Sequence, residues 1–202
     1  MTTSSPPLLL SPAIAPPSRE VDLETATNAA RDLLRALGVD TESASTLRTP
    51  ERMALALHEL LTPGAFDLTA FAAEGYQQMA VVRDIPFVSV CEHHMLPFTG
   101  TAHLAYLPKE SMLGLSKFAR VVELFARRPQ VQERLTQQIA DFLRDHLQAN
   151  GVGVLIRAEH SCMTLRGAQA AGSSTVTCAL HGRLLEDAST RQEFMALAGV
   201  RA

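Results

Sequence analysis

The sequence predicts an α+β fold, because strand-like and helix-like segments follow each other in blocks along the chain. Two strand-like segments precede two amphipathic segments with helical spacing, and two more strand-like segments come after them. The 202 residues are 47% apolar and 19% charged, which is enough to bury one substantial core. We therefore expect a single α+β domain.

The first part of the chain is expected to hold a proline-rich tail and two helices. Residues 1–18 contain five prolines and no charged residue, so we expect a disordered tail. Apolar residues recur at helical spacing over 21–37, and Gly38 follows as a stop. A second helix is expected over 49–60, with an N-cap at its start and Pro63 beyond its end.

The rest of the chain is expected to form the sheet and the helices that pack on it. Segments rich in Val, Ile, Phe and Tyr predict two strands, 79–90 and 98–107, and two further strands are predicted over 152–158 and 174–180. Apolar residues at i, i+3 and i+4 predict three helices: 115–128, 131–147 and, shorter and more polar, 189–197. We assign 19–202 to one domain, with N-terminal helices over 19–75 and a core over 76–186 that extends to 198.

The charge balance excludes a general attraction to polyanions. The formal net charge is -3, so we expect neither nucleic acid nor a membrane as partner, and an anionic ligand needs a local basic cluster. No apolar run approaches the roughly 20 residues that span a bilayer. The first basic residue, Arg19, follows the only signal-like stretch, Pro6 to Ile14. We therefore expect a soluble, cytoplasmic protein.

Two segments that pair cysteine with histidine indicate a metal site. Cys91 and His94 are separated by two residues, so one tight loop can aim a thiolate and an imidazole at the same point. With Cys162 they form a Cys₂His set, which in catalytic zinc sites leaves the fourth position to water. An odd number of cysteines favours reduced thiols over a disulfide framework. Cys178, in a predicted strand, is expected to be a small core residue.

A structural zinc site, which would only staple a loop of a non-catalytic oligomeric module, is the alternative. Such a site needs a fourth ligand, and the remaining candidates do not lie in an obvious ligand pair: Cys178, His181 and His103. The number of protein ligands distinguishes the two kinds of site. A zinc deaminase is excluded, because its H-x-E and P-C-x-x-C elements are absent from the sequence.

Two more histidines lie beside the proposed ligands. His93 precedes His94, and His160 comes two residues before Cys162, so neither imidazole is needed to hold the metal. Imidazole titrates near neutral pH, so both are candidate proton carriers in a hydrolysis. The alternative for either one is a hydrogen bond that orients a metal ligand.

A basic cluster is predicted at the start of the helix over 115–128. Ser116, Lys117 and Arg120 share one polar side of its first turns. Cations there oppose the positive end of the helix dipole, which favours an anion bound between them, although a solvated basic face is the alternative. Arg166 would add a guanidinium near the metal.

Glu133 opens the following helix, next to Gln132. A carboxylate at a helix N-terminus ordinarily just stabilises the dipole. The functional alternative is a carboxylate that accepts hydrogen bonds from the N1–H and the exocyclic amine of guanine.

Five segments resemble the signature segments of the GTP cyclohydrolase I family: VRDIPF, CEHHMLPFTG, GLSKFAR, QVQERLT and EHSCMTLRG. They occur in the family's order and spacing over about 20–198. The resemblance implies the tunnel fold, an antiparallel four-stranded sheet with two helices on one face, in a toroidal homodecamer with active sites between subunits. It also implies Zn²⁺-dependent hydrolysis of GTP to formate and 7,8-dihydroneopterin triphosphate, the first step toward folate or biopterin-type cofactors.

The resemblance also implies a role for each candidate residue. It implies three zinc ligands: Cys91, His94 and Cys162. It implies two proton carriers: His93 and His160. It implies three triphosphate contacts: Lys117, Arg120 and Arg166. Ser116 is then placed near the ribose, where it assists acid-base steps, and guanine is anchored by Glu133 and the backbone near Gln132.

One segment departs from the family's pattern. After Arg166 and Gly167 the family commonly has a Lys-Pro-Gly stretch, where this chain has Ala170, Ala171 and Gly172. A charge and a rigid turn are absent, so the resemblance implies a less rigid loop.

The alternative function is a related purine hydrolase that stops after ring opening or feeds a deazapurine or other specialised pathway.

Overall fold

The structure, a computed structural model, describes residues 8–14 and 20–199. These residues form helices and two β-sheets. In chain order the elements are β1 (Leu8–Ile14), α1 (Leu23–Ala36), α2 (Thr49–Leu61), β2 (Phe66–Ala72), β3 (Ala80–Cys91), β4 (Pro97–Leu107), β5 (Ser111–Leu113), α3 (Leu115–Ala126), β6 (Pro129–Gln130), α4 (Gln132–Leu147), β7 (Gly151–His160), α5 (Ser161–Thr164), β8 (Thr175–Gly182), α6 (Arg183–Glu186) and α7 (Ala188–Leu197). The prediction of an α+β protein is confirmed.

The larger sheet has the strand order β6-β3-β4-β7-β8. Its four long strands pair antiparallel, and the two-residue β6 pairs parallel with β3. The four strands predicted from the sequence are confirmed, each within two residues of the expected bounds. β6 escapes prediction because two residues carry no periodic signal.

Helices α3 and α4 cover one face of this sheet, because each has an apolar stripe at helical spacing. α3 buries Phe118 and Val122, and α4 buries Leu135, Ile139 and Leu143, all with at most 1% of their surface exposed. These side chains join the sheet in one continuous core. Both helices are confirmed, although α3 ends two residues earlier than predicted.

The opposite face of the sheet is only partly covered. Leu184 of α6 and Phe194 of α7 pack there against Leu155, and farther along the same face Val176 is 55% exposed. Cys178 pairs in register with Leu155 and is exposed, so the prediction of a core cysteine is wrong. Side chains alternate across a strand, and Cys178 points to the face that α3 and α4 do not cover.

A smaller sheet, with the order β1-β2-β5, forms from segments for which no strand is predicted. The prediction of a disordered tail is wrong at Leu8–Ile14, which pairs with β2, and the segment 19–75, predicted to hold helices, also contains the strand Phe66–Ala72. An edge strand with register shifts tolerates proline, which is why composition misleads in β1. The rest of the predicted tail, residues 1–7 and 15–18, lies outside the described residues, as do residue 19 and residues 200–202.

The first two helices agree with their predicted positions. α1 begins after Asp22, whose carboxylate accepts a hydrogen bond from the Thr25 amide at 2.9 Å, and α2 packs against α1. Leu33, Leu37 and Leu47 remain exposed, so this helical pair presents apolar surface. Within 8–14 and 20–199, no helix has both the length and the apolar character needed to cross a membrane.

Candidate metal centre and active site

Three potential metal ligands meet at one edge of the larger sheet. β3 ends at Cys91, and the turn after it carries His94, whereas β7 ends just before Cys162. Because β4 pairs with both strands, with Phe98 opposite Ser89 and His160, the start of β4 holds both strand ends at the same edge. The ligand atoms of the three residues lie within 4.8 Å of one another, and Cys91 Sγ is 3.9 Å from His94 Nδ1.

The turn that carries His94 is closed by its own backbone. The Cys91 amide donates to the Leu96 carbonyl at 2.8 Å, and the Met95 amide donates to the Cys91 carbonyl at 2.8 Å. Met95 has a φ of 54°, a left-handed conformation that costs energy for a residue other than glycine. The chain can therefore reverse direction between Cys91 and β4 while His94 points back toward Cys91.

The donor set fits Zn²⁺. Typical Zn–S and Zn–N bonds of about 2.3 and 2.1 Å separate tetrahedral ligand atoms by roughly 3.5–3.8 Å, close to the spacing here. Burial raises the pKa of the Cys162 thiol and the nearby Cys91 raises it further, a penalty that a cation between the two sulfurs would offset. Among the described residues no fourth His, Cys or carboxylate joins the cluster, which favours an open catalytic site over a structural one.

His160 is held rigidly beside this cluster. Its ring stacks on Phe98, with 4.5 Å between ring centroids and 7° between planes, and its Nε2 is 2.8 Å from Gln132 Oε1. Burial lowers the pKa of His160, and the Glu133 carboxylate partly opposes that shift. The imidazole thus has a set orientation next to the metal ligands.

Gln132 determines which nitrogen of His160 carries the proton. The Gln132 amide nitrogen donates to the carbonyls of Ile156 (3.2 Å) and Thr175 (3.1 Å) and to the Thr177 hydroxyl (3.1 Å). Carbonyl oxygens only accept, so Gln132 Oε1 faces His160 and Nε2 of His160 is the donor. Gln132 is 1% exposed and its side chain is engaged within the protein, so the predicted substrate contact, which involves the backbone near Gln132, stays a prediction.

Three further predicted site residues surround the cluster with exposed side chains. His93 is 64% exposed, and its ring lies 6.4 Å from that of His94. Glu133 lies in the first turn of α4, and its charge offsets part of the lowering of the His160 pKa that burial causes. The Arg166 charge offsets part of the rise in the Cys162 pKa that burial and Cys91 cause. A carboxylate, an imidazole and a guanidinium therefore face solvent around the candidate metal position.

Three residues predicted to contact substrate lie away from the cluster of their own chain: Ser116, Lys117 and Arg120. The C-terminal end of α3 is near the cluster, because Ser89 Oγ donates to the Ala126 carbonyl at 2.6 Å. The N-terminal end is near the smaller sheet, since the Gly114 amide donates to the Thr69 carbonyl at 3.1 Å. At 1.5 Å per residue along α3, Arg120 is about 9 Å and Lys117 about 14 Å from Ala126, so both lie in the half of the helix farther from Cys91.

The loop that departs from the family's pattern closes with its own hydrogen bonds. The Ala170 amide donates to the Met163 carbonyl at 3.0 Å, and the Ala171 amide donates to the Gln169 carbonyl at 2.9 Å. Proline has no amide hydrogen and cannot make the second bond. The chain therefore follows a backbone path here that a proline at 171 would disrupt.

Sequence reasoning missed two residues that touch the metal-binding turn. Arg134 donates to the Glu92 carboxylate, and the Glu92 amide donates to the Gln130 carbonyl at 3.0 Å. A weak signal exists, because Gln130 and Arg134 are four residues apart and can share a side if helical spacing continues. Glu92, which both residues contact, however lies about 40 residues earlier in the chain, beyond the reach of any local pattern.

Comparisons with known proteins confirm the resemblance. Residues 26–199 match the family model described as GTP cyclohydrolase I. The chain is 48% identical over 178 residues to GTP cyclohydrolase 1 of Aquifex aeolicus, covering 88% of this chain and 97% of that protein. It is 47% identical over 186 residues to GTP cyclohydrolase 1 of Rhodopirellula baltica, covering 90% and 81%. Similarity of this extent, together with the Cys-His-Cys cluster, establishes that this chain belongs to the GTP cyclohydrolase I family.

Proposed function

We propose that this protein is a zinc-dependent hydrolase that converts GTP to formate and 7,8-dihydroneopterin triphosphate, the first step of folate or pterin biosynthesis. The observation that carries the proposal is the open cluster of Cys91, His94 and Cys162 with the oriented His160 beside it, in a chain of the GTP cyclohydrolase I family. Cysteine and histidine are preferred ligands of Zn²⁺, and three protein ligands leave room for reacting water.

The chemistry follows from where the protons and charges lie. Zinc held by this cluster supplies Lewis-acid activation of water. His160 donates a hydrogen bond from Nε2–H to Gln132, so its other ring nitrogen, Nδ1, is the atom that exchanges a proton with substrate. In the imidazolium form both ring nitrogens carry a proton, and transfer of the Nδ1 proton to purine N7 leaves His160 neutral with its Nε2–H still bound to Gln132; protonated N7 makes C8 more electrophilic, which favours addition of water and ring opening. Exposed His93 is the second proton carrier, for the later steps.

Guanine is proposed to bind at the first turn of α4. The exposed Glu133 carboxylate can accept the N1–H and the exocyclic amine together, and a base lacking this donor pair would leave the carboxylate unpaired. The first backbone amides of α4, among them that of Gln132, have no acceptor within the helix and can donate to the carbonyl of the base.

The triphosphate is proposed to bind between subunits. Lys117 and Arg120 lie in the half of α3 that begins at the smaller sheet, whereas Arg166 is beside the cluster. Ser116 precedes Lys117 in the chain, so the same subunit would place it near the ribose. Exposed apolar side chains lie next to both groups of basic residues: Leu115 beside Lys117 is 74% exposed, and Leu165 beside Arg166 is 76% exposed. Such side chains support a contact between these two regions in an assembly.

A homodecamer with the tunnel fold provides this arrangement. Its support in the single chain is the sheet face left uncovered around Val88 and Val176, and the exposed leucines of the α1–α2 pair. Active sites then lie at subunit interfaces, with zinc ligands from one chain and Ser116, Lys117 and Arg120 from its neighbour. The cytoplasmic location stays a prediction.

The activity is tested by incubating the purified protein with GTP, with and without a zinc chelator. We expect formate and a pterin that becomes fluorescent after oxidation, loss of both products with chelator, and recovery when Zn²⁺ is restored. A zinc-dependent product that retains the formyl group would instead favour the alternative of a purine hydrolase that stops after ring opening. Absence of any zinc-dependent product would contradict the proposal.

The interface location is tested by mixing two inactive variants. Lys117→Ala and His160→Ala chains, co-expressed with different tags and purified through both, are expected to regain activity because some sites receive both residues intact. The matched control combines His160→Ala with Cys162→Ser, which come from the same chain in every site and should stay inactive. Activity of the first mixture no higher than that of the separate variants would show that the sites are not shared.

A further inference from the structure

The metal-binding turn is attached to the start of α4 by a small polar cluster, the Glu92 anchor, which consists of Glu92, Gln130 and Arg134. Arg134 Nη2 donates to Glu92 Oε2 and, at 3.3 Å, to the Pro129 carbonyl, while its Nε donates to Gln130 Oε1 at 3.0 Å. A guanidinium is planar and donates from fixed directions. Three acceptors around it therefore determine its position.

Gln130 connects this cluster to the buried core. It is 1% exposed, and its amide nitrogen donates to the Phe125 carbonyl at 2.9 Å and to Gln138 Oε1 at 2.8 Å. Its backbone pairs with Cys91, and its carbonyl accepts the Glu92 amide at 3.0 Å. The cluster thus rests on the ends of two helices rather than on the turn itself.

Glu92 is the residue between the first zinc ligand and the histidines. Its backbone is held by Gln130 and its side chain by Arg134, so it is attached at two points. The second carboxylate oxygen of Glu92 lies 3.9 Å from His93 Nε2. A rotation of Glu92 would displace Cys91 on one side and the two histidines on the other.

We propose that Arg134, supported by Gln130, is a positioning residue that holds Glu92 so that Cys91 and His94 keep the separation that zinc requires. The Glu92 and Arg134 side chains are 33% and 43% exposed, and half-exposed ion pairs contribute little to folding stability. A role in positioning therefore differs from a role in folding, because it changes the affinity for zinc more than the melting temperature. The inference rests on the metal cluster and does not depend on the reaction proposed above.

The test measures metal binding by Arg134→Gln and Glu92→Gln in the full-length protein. Zinc affinity is obtained by competition with a chromogenic chelator, and ligand geometry from the visible absorption of the Co²⁺-substituted protein. We expect each variant to bind zinc about 10–100-fold more weakly, as for other partners of metal ligands. The double variant should be no weaker than the worse single variant, because the two residues act through one contact.

Arg144→Gln is the matched control, since Arg144 lies on the same helix and pairs with Asp141 and Asp145. It should match the parent in zinc affinity and in the cobalt spectrum. Arg134→Lys, which keeps a cation for Glu92 but loses the fork to Gln130, should recover part of the affinity. Parental zinc affinity and spectrum in both Arg134→Gln and Glu92→Gln would overturn the proposal, as would an equal loss in Arg144→Gln. Turnover of GTP is not scored, so either result leaves the proposed function open to its own test.

Discussion

Replacement of Cys162 by serine is expected to abolish both zinc binding and GTP turnover. A serine hydroxyl stays protonated at neutral pH and is a poor zinc ligand, so the cluster would keep only Cys91 and His94, both from one turn. The loss of affinity should exceed the about 100-fold that follows removal of a ligand's hydrogen-bond partner. Zinc per subunit after dialysis and the rate of formate release measure the two effects.

Cys178→Ser is the matched control for this prediction. It makes the same substitution at an exposed cysteine on the face of β8 that lies away from α3 and α4. Both zinc content and turnover should remain at the parental level. If Cys162→Ser retained one zinc per subunit, Cys162 would have to be removed from the set of ligands.

Replacement of His160 by alanine is expected to separate metal binding from catalysis. His160 contacts Phe98 and Gln132 and is not one of the three clustered ligands, so zinc content should be unchanged. Loss of a general acid typically lowers the rate about 10²–10⁴-fold, and we expect kcat to fall by that amount. Steady-state kinetics with GTP, together with metal analysis of the same samples, make the measurement.

His181→Ala is the control, since His181 is a partly buried histidine paired with Asp141 rather than with the cluster. It should retain the parental kcat. Loss of zinc from His160→Ala in proportion to its loss of activity would show that the distinction between ligands and proton carriers is wrong. A comparison of melting temperatures with the parent separates either result from unfolding.

The main sheet and its two helices were predictable because their side-chain patterns are long. The main strands are 8 to 12 residues long, and the two helices have three or more turns with one apolar side, so each element has enough residues to be identified. Strands β1, β2 and β6 could not be predicted, each for a different reason. β6 is too short, β1 contains proline, and the alternation of Leu68 and Ala70, both fully buried in β2, lies in a segment assigned to helices.

The candidate site was also predictable only in part. Cys91 and His94 are close in sequence, so a single turn brings them together, and the chemistry of the residues suffices to indicate a metal. Gln132 and Arg134 lie in one helical turn, yet the first points to His160 and the second to Glu92. Their partners depend on how α4 packs against β7, β8 and the end of β3, which no local pattern records.

The sequence by itself determined the α+β class, the Cys-His-Cys set that can hold a metal ion, and the family to which the chain belongs, because these depend on residue types at short or repeated spacings. Only the tertiary structure decided that the Gln132 side chain orients His160, and that Lys117 and Arg120 lie in the half of α3 farther from the cluster. The physical reason is that hydrogen bonds and distances between remote segments arise from packing, and packing is a property of the whole chain rather than of any one segment.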